Sequence, residues 1–246
     1  MSSFFPRSRS RYQLGAPIAL ADLLALPPDG NTYGRDEKGR LTLVAPDDAV
    51  SHRMPISQAS DRLNRAIDSS AHNIVPDAPV ALDEVFALDG SVLPTSHHGP
   101  KALVLDLACF ADPVRFVKAP AGHTWFSAET LLVAIEFVSP STWRNDLGEG
   151  SSGEEVDRWR TYLENGVSEY WILNAGTEAC GLPPRSGFFL YLDRDRATWS
   201  DLPVDAPRFA ARDARGRRPV EGGVVRSLAI PALTFDLGQF FAELPR

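Results

Sequence analysis

Lysine is scarce in this chain and absent from its second half. Of the 25 basic residues only Lys38, Lys101 and Lys118 are lysines, so every strong cation after residue 118 is an arginine. Arginine is effectively never deprotonated in proteins, so it can bind and stabilise anions but cannot act as a general base. Any site in the second half that needs a strong cation must therefore use arginine.

Cysteine and long apolar runs are also lacking. The two cysteines, Cys109 and Cys180, form neither a disulfide framework nor a zinc-binding pattern. Such low cysteine usage favours a reducing compartment, and we expect a cytoplasmic location. No apolar run approaches the roughly 20 residues that a membrane-spanning helix requires, so we expect no membrane partner.

Positive net charge is the third absence. The chain has 32 acidic and 25 basic residues and a formal net charge of −7, so the chain as a whole does not attract polyanions. A contact with nucleic acid would require a local basic patch. The candidate patch is a glycine-containing loop with Arg212, Arg215, Arg217 and Arg218, whose default interpretation is a solvated loop.

The composition is that of a globular protein. With 246 residues, 43% of them hydrophobic, the chain is long enough to bury a sizeable core. We expect a flexible, polar arm at residues 1–17 and a single domain at 18–246. No internal repeat or low-complexity linker divides the domain.

Strand and helix patterns alternate along the chain. Apolar runs predict strands at 40–44, 101–110, 129–138, 167–173, 187–192 and 224–230. An Asp-Gly pair predicts a β-hairpin with a type I′ turn at 80–93. Helical spacing and capping residues predict helices at 56–67, 152–166 and 236–244. The fold class is therefore α/β or α+β, with a β-helix-β unit at 131–173.

Two acidic residues interrupt apolar strand patterns. Asp106 lies within the run 101–110, and Glu136 lies within the run 129–138. Burying an ionised carboxylate costs several kcal/mol unless a cation or hydrogen bonds compensate for the lost hydration. Paired carboxylates suit a magnesium-like ion, which can activate a water against a phosphodiester. The alternative is that both acids face solvent or pair with arginines.

Two ordered motifs include and follow Glu136. Residues 134–142 read AIEFVSPST, residues 165–173 read NGVSEYWIL, and Asp146 and Tyr162 lie between them. Together these motifs resemble the Uma-type family of predicted restriction endonucleases, within the PD-(D/E)xK nuclease superfamily. The resemblance implies a restriction-endonuclease-like fold, with a mixed central sheet flanked by helices. It also implies metal-dependent hydrolysis of DNA.

The resemblance implies a role for each strand acid. Glu136 matches the family's strand glutamate, a ligand of Mg²⁺ or Mn²⁺. Asp106 matches the aspartate of the family's Pro-Asp motif by its place in the preceding strand, although Leu105 stands where proline is usual. A literal Pro-Asp pair occurs at Pro76 and Asp77, but it precedes the predicted hairpin. We therefore take Asp106 and Glu136 as the predicted metal ligands.

The lysine that the resemblance implies is missing. The superfamily's lysine, two residues after the strand acid, corresponds to Val138, and the Uma-type alternative, four residues ahead of Tyr162, corresponds to Arg158. The chain also has an apparent insertion at 150–153. Arg158 is therefore the third predicted catalytic residue, with the role of stabilising charge on the phosphate. Lys101, near the start of the Asp106 strand, is the lysine that could substitute.

Two functions are compatible with these residues. The first is a Mg²⁺- or Mn²⁺-dependent endonuclease acting on DNA, impaired to the extent that arginine replaces the family's lysine. The alternative is a nuclease-fold module that has lost catalysis and works in dimerisation with a second copy of the chain, or in nucleic-acid binding. Replacing Arg158 by lysine distinguishes the two.

Overall fold

The computed structural model describes residues 13, 16–18, 33–35, 40–43, 46–67, 69–93, 101–118, 124–139, 142–150, 156–176, 181–213 and 215–244. The chain divides into two compact units, Met1–Arg53 and Met54–Arg246. In the first unit, strands β1 (Tyr33–Arg35) and β2 (Leu41–Leu43) pair antiparallel. The predicted arm at 1–17 lies outside the described residues except for 13, 16 and 17.

The larger unit is built on one extensive sheet. Its strands are β3 (His72–Leu82), β4 (Lys101–Ala111), β5 (Phe116–Lys118), β6 (Thr124–Ser127), β7 (Leu131–Phe137), β8 (Glu169–Asn174), β9 (Ser186–Asp193), β10 (Thr198–Asp201), β11 (Val204–Phe209), β12 (Val220–Arg226) and β13 (Thr234–Asp236). The helices of the described chain are α1 (Pro46–Ala66), which begins within the first unit, α2 (Trp143–Leu147), α3 (Arg158–Glu164) and α4 (Leu237–Glu243). No helix among the described residues is long and apolar enough to cross a membrane.

The sheet is mixed. Its strand order is β11-β12-β9-β8-β7-β4-β3-β6-β5, with β10 added to β9 and β13 added to β12. The pairs β7/β8 and β3/β6 are parallel, and the other pairs are antiparallel. Helices α2 and α3 lie in the connection from β7 to its parallel neighbour β8. The predicted fold class, a mixed central sheet flanked by helices, and the predicted β-helix-β unit are confirmed.

Two apolar cores form from alternate residues of the central strands. Because side chains alternate across a strand, Ile135 and Trp171 enter one core while Ala134 and Ile172 enter the other. The first core also contains buried residues of α1 and α4. The second contains buried residues of α2 and α3, including Tyr162. The second core lies on the side that carries the candidate site.

The predicted hairpin is present, but its turn differs from the prediction. Phe86 and Val92 form an antiparallel bridge, and the backbone N–H of Ala87 donates to the carbonyl of Ser91 at 2.8 Å. Gly90 has φ of +84°, whereas Asp89 is not among the residues with positive φ. The turn therefore has three residues and ends in a left-handed glycine, so the predicted type I′ turn is wrong.

Two other elements have bounds that differ from those predicted. Asp157 caps α3 by accepting from the backbone N–H of Arg160 at 2.9 Å, while 151–155, with the predicted cap, lie outside the described residues. The strand predicted at 224–230 is β12, which ends at Arg226. It ends there because the N–H groups of Leu228 and Ala229 donate to a side chain instead of a neighbouring strand.

Candidate active site

The two predicted metal ligands lie opposite each other on neighbouring strands. Strands β4 and β7 are antiparallel with Leu107 opposite Ile135, so the next position along the same register places Asp106 opposite Glu136. The backbone N–H of Phe137 donates to Asp106 Oδ2 at 2.7 Å, and the N–H of Asp106 donates to Glu136 Oε2 at 3.4 Å. Each carboxylate thus contacts the backbone of the strand that carries the other.

Helix α3 supplies two polar partners to Glu136. The hydroxyl of Tyr162 donates to Glu136 Oε1 at 2.6 Å, and the guanidinium of Arg158 forms an ion pair with the same oxygen. Residues four apart project from one face of a helix, which is why Arg158 and Tyr162 reach the same carboxylate. Glu136 is only 1% exposed. The structure therefore brings all three predicted site residues together.

The surroundings of Glu136 favour its protonated form. Burial raises the pKa of Glu136 from its ordinary value of 4.5 to about 8. The charge of Arg158 opposes this shift, repulsion from Asp106 and Asp146 adds to it, and the hydrogen bond from Tyr162 opposes it. Loss of hydration therefore outweighs the ion pair. A second cation at the acid pair would favour the ionised form.

Asp146 is a third acid at this site, and its role was not predicted. It lies on α2, is 1% exposed, and its Oδ1 is 3.6 Å from Arg158 Nε. The hydroxyl of Tyr170 donates to the backbone carbonyl of Asp146 at 2.9 Å, which ties α2 to β8. A signal was present in the sequence. Trp143, Asp146 and Leu147 have the i, i+3, i+4 spacing that places an acid on an apolar helix face.

The other sequence candidates lie elsewhere. Asp77 is exposed on β3 and has φ of +48°, in the left-handed region. Lys101 is the first residue of β4, and its side chain lies outside the described part of the structure. Val138 is buried in the second apolar core. Neither Asp77 nor Val138 forms a hydrogen bond or an ion pair with the Glu136 side chain in the described part of the structure.

The donor set at this site fits a magnesium-like ion. Within the described ranges, no group of three or more histidine, cysteine, aspartate or glutamate side chains is arranged to hold a metal. The oxygen donors that the two facing strands would offer to an ion are the carboxylates of Asp106 and Glu136. This number is sufficient because Mg²⁺ is commonly bound by one or two carboxylates and keeps several waters. Three acids beside one arginine also leave negative charge that a divalent cation would offset.

Glu169 is a buried acid with a different task. Its Oε1 accepts from the Ser227 hydroxyl at 2.9 Å and from the N–H groups of Leu228 and Ala229 at 2.6 and 2.7 Å. Its Oε2 accepts from Trp171 Nε1 at 3.0 Å. Burial raises the pKa of Glu169, and these hydrogen bonds oppose the shift. The acid of the 165–173 motif therefore fixes the turn that follows β12.

Comparisons with known proteins add one distant likeness. No family model matches the chain, and no curated protein matches it. Among solved structures, the chain is similar to a protein from Anabaena variabilis ATCC 29413 described as a "putative nuclease belonging to DUF820". The two are 13% identical, the match covers 92% of this chain and 98% of that one, and the TM-score is 0.48.

Proposed function

We propose that this chain is a metal-dependent nuclease that hydrolyses phosphodiester bonds in DNA. The observation that carries the proposal is the acid pair, Asp106 opposite Glu136 on two central strands, with Asp146 and a single arginine beside it. The resemblance of motifs 134–142 and 165–173 to the Uma-type restriction-endonuclease-like family supports the same assignment. Asp106 and Glu136 are the proposed ligands of Mg²⁺ or Mn²⁺.

The side chains around the acid pair have separate proposed tasks. Asp106 and Glu136 would hold Mg²⁺, which would supply an activated water and offset negative charge on the phosphate. Tyr162 orients Glu136 by donating to Oε1, which leaves Oε2 with one long hydrogen bond. Arg158 stabilises charge on the scissile phosphate and, because it is not deprotonated, does not act as the base. Asp146 holds the guanidinium of Arg158 against the acid pair.

Cleavage assays over a titration of Mg²⁺ and of Mn²⁺ test the proposal. We expect labelled oligonucleotide DNA to be cut by the wild type, and Asp106→Asn to abolish cutting while the circular dichroism spectrum is unchanged. Glu221→Gln is the matched control because Glu221 is an exposed acid on β12. Folded wild-type protein that neither cuts DNA nor binds either ion would refute the proposal.

A specific observation favours a second candidate function, a nuclease-fold module without catalysis. Arg158 and Tyr162 both occupy Glu136 Oε1, and burial raises the pKa of this carboxyl to about 8, which disfavours the ionised form that a metal requires. In that case the chain binds DNA or a second copy of itself. The Arg158→Lys variant separates the candidates. Gained or increased cleavage supports the nuclease, and metal binding without cleavage in both proteins supports the inactive module.

A further inference from the structure

A cavity lies close to the acid site. It has a volume of about 560 Å³, within the roughly 300–1,000 Å³ typical of small-molecule pockets. Strands β9, β10 and β11, the start of α3 and the loop between β11 and β12 contribute to its walls. The side chains that characterise it are aromatic or basic: Trp159, Trp199, Phe209, Arg212, Arg217 and Arg218. Asp201 is the acid in its lining.

One arginine of this cavity is fixed in the wall. Arg217 forms ion pairs with Asp213 Oδ2 at 2.5 Å and with Glu149 Oε1 at 2.6 Å. Its guanidinium lies 4.9 Å from the ring of Trp159 and 4.8 Å from the ring of Phe188. These contacts neutralise its charge and hold the aromatic wall in place.

The other two arginines of the cavity keep their charge. Within the part of the chain that the structure describes, neither Arg212 nor Arg218 forms an ion pair with an acid. Arg212 donates to the carbonyl of Gly216, and Arg218 lies over the ring of Phe209 at 5.3 Å. Both are exposed. The mouth of the cavity is therefore positively charged in a chain whose net charge is −7.

The aromatic side chains offer surface for stacking. Phe209 is 46% exposed, an unusual position for a phenylalanine beside a cavity. Trp199 is half-buried, and its Nε1 donates to the backbone carbonyl of Trp159 at 3.0 Å, so the indole is held in place. Exposed aromatic faces next to arginines are what a nucleobase with its phosphate requires.

Hydrogen bonds connect this cavity to the acid site. Arg217 Nη1 donates to the carbonyl of Leu147 at 3.3 Å, and Arg215 Nη2 donates to the carbonyl of Gly148 at 2.9 Å. These carbonyls directly follow Asp146 at the end of α2. On α3, Trp159 follows Arg158. The cavity and the acid cluster thus share two short helices.

We propose that this cavity binds one unpaired nucleotide of single-stranded DNA, with its base stacked against Phe209 and its phosphate held by Arg212 and Arg218. A base paired in a duplex is already stacked and cannot enter, so the site selects an unpaired end or strand. Asp201 can accept a hydrogen bond from an N–H group of the base, such as N3–H of thymine. The inference deepens the proposed function by naming the form of the substrate, and it is tested without cleavage.

Binding of a fluorescein-labelled oligothymidylate, followed by anisotropy in EDTA, tests the proposal on the full chain. We expect Phe209→Ala to weaken binding by about fivefold or more, the least that the loss of one stacked base produces. The double variant Arg212→Ala/Arg218→Ala should weaken binding further and reduce its salt dependence. Phe116→Ala, which removes a 58% exposed phenylalanine on β5, and Arg196→Ala are the matched controls and should bind as the wild type does.

Three results would overturn the inference. The first is that the chain binds a blunt duplex of the same length as tightly as the oligothymidylate, and the second is that Phe209→Ala and Phe116→Ala lose the same amount of affinity. The third is that polyphosphate, which carries charge without bases, displaces the oligothymidylate completely. The Asp106→Asn variant separates this inference from the proposed function. If that variant binds the oligonucleotide but does not cut, both stand; if the wild type cuts DNA but shows no preference for single strands, only this inference fails.

Discussion

Replacing Glu136 by glutamine should remove a loss of stability that grows with pH and that the buried carboxyl of Glu136 causes. Burial raises the pKa of Glu136 from 4.5 to about 8, so between these values the folded protein keeps a proton that the unfolded chain has released. Stability rises with pH only where the unfolded state binds more protons, and here it binds fewer. The contribution of Glu136 therefore makes the protein less stable as the pH rises from about 4.5 to about 8.

The size of this effect follows from the pKa difference. Each unit of pKa difference corresponds to about 1.4 kcal/mol, and pH 7 lies about 2.5 units above the ordinary value. The cost at pH 7 is therefore on the order of 3 kcal/mol. Glutamine keeps the size of the side chain and the oxygen that accepts from Tyr162, but it does not ionise. The variant should therefore lack this pH-dependent cost. A change in stability that the substitution makes equally at every pH does not affect the slope.

Urea unfolding of the wild type and Glu136→Gln at pH 5, 6, 7 and 8 measures this effect. We expect the free energy of unfolding of the variant, relative to the wild type, to increase steadily with pH and to level off above the raised pKa. Glu221→Gln, which removes an exposed acid, is the control. A difference between Glu136→Gln and the wild type that is the same at every pH would refute the reasoning. A difference that shrinks as the pH rises would refute its sign.

Two further predictions concern the neighbours of the acid pair. Tyr162→Phe removes a 2.6 Å hydrogen bond to a buried carboxyl, so we expect a loss of about 1–2 kcal/mol in urea unfolding. It should also extend the fall in stability to higher pH, because that bond lowers the pKa of Glu136; a fall that levels off at the same pH as in the wild type would contradict this. Glu169→Ala leaves the Ser227 hydroxyl and two backbone N–H groups without their acceptor, so we expect a loss of about 3 kcal/mol or more. Urea unfolding of Glu169→Ala measures this loss, and a free energy of unfolding equal to that of the wild type would contradict the role assigned to Glu169.

The central strands could be predicted because burial on both faces gives continuous apolar runs. Strands β4 and β7 agree with the predicted ranges 101–110 and 129–138 within a few residues, and β8 follows as expected. Within such runs an acid is conspicuous, which is why Asp106 and Glu136 could be selected. Their register, one directly across from the other, depends on strand pairing that spacing alone does not determine.

The short outer strands could not be predicted. Strand β11 is exposed along nearly all of its length and contains Pro207, so it lacks both a continuous apolar run and a clean alternation. It forms because β12 pairs with it. The same applies to β13, which has three residues. In these segments tertiary pairing, not local preference, determines the structure.

The positions of Asp146 and of the loop 212–218 were difficult to predict for a related reason. Helix α2 has five residues, so the spacing of Trp143, Asp146 and Leu147 covers little more than one turn and does not by itself predict a helix. The partners of Arg217 include Glu149, which is 68 residues away in the chain. A loop that appears solvated from its composition is therefore partly buried by contacts that only the folded chain creates.

The most direct test of the proposed site is the number of Mn²⁺ ions that the folded chain binds, counted from the electron paramagnetic resonance signal of free Mn²⁺. We predict about one ion per chain, since the two facing carboxylates form a single site. Asp106→Asn and Glu136→Gln should each lose this ion, whereas Glu221→Gln should keep it. Folded wild type that binds no Mn²⁺, or Asp106→Asn that binds it as the wild type does, would contradict the account.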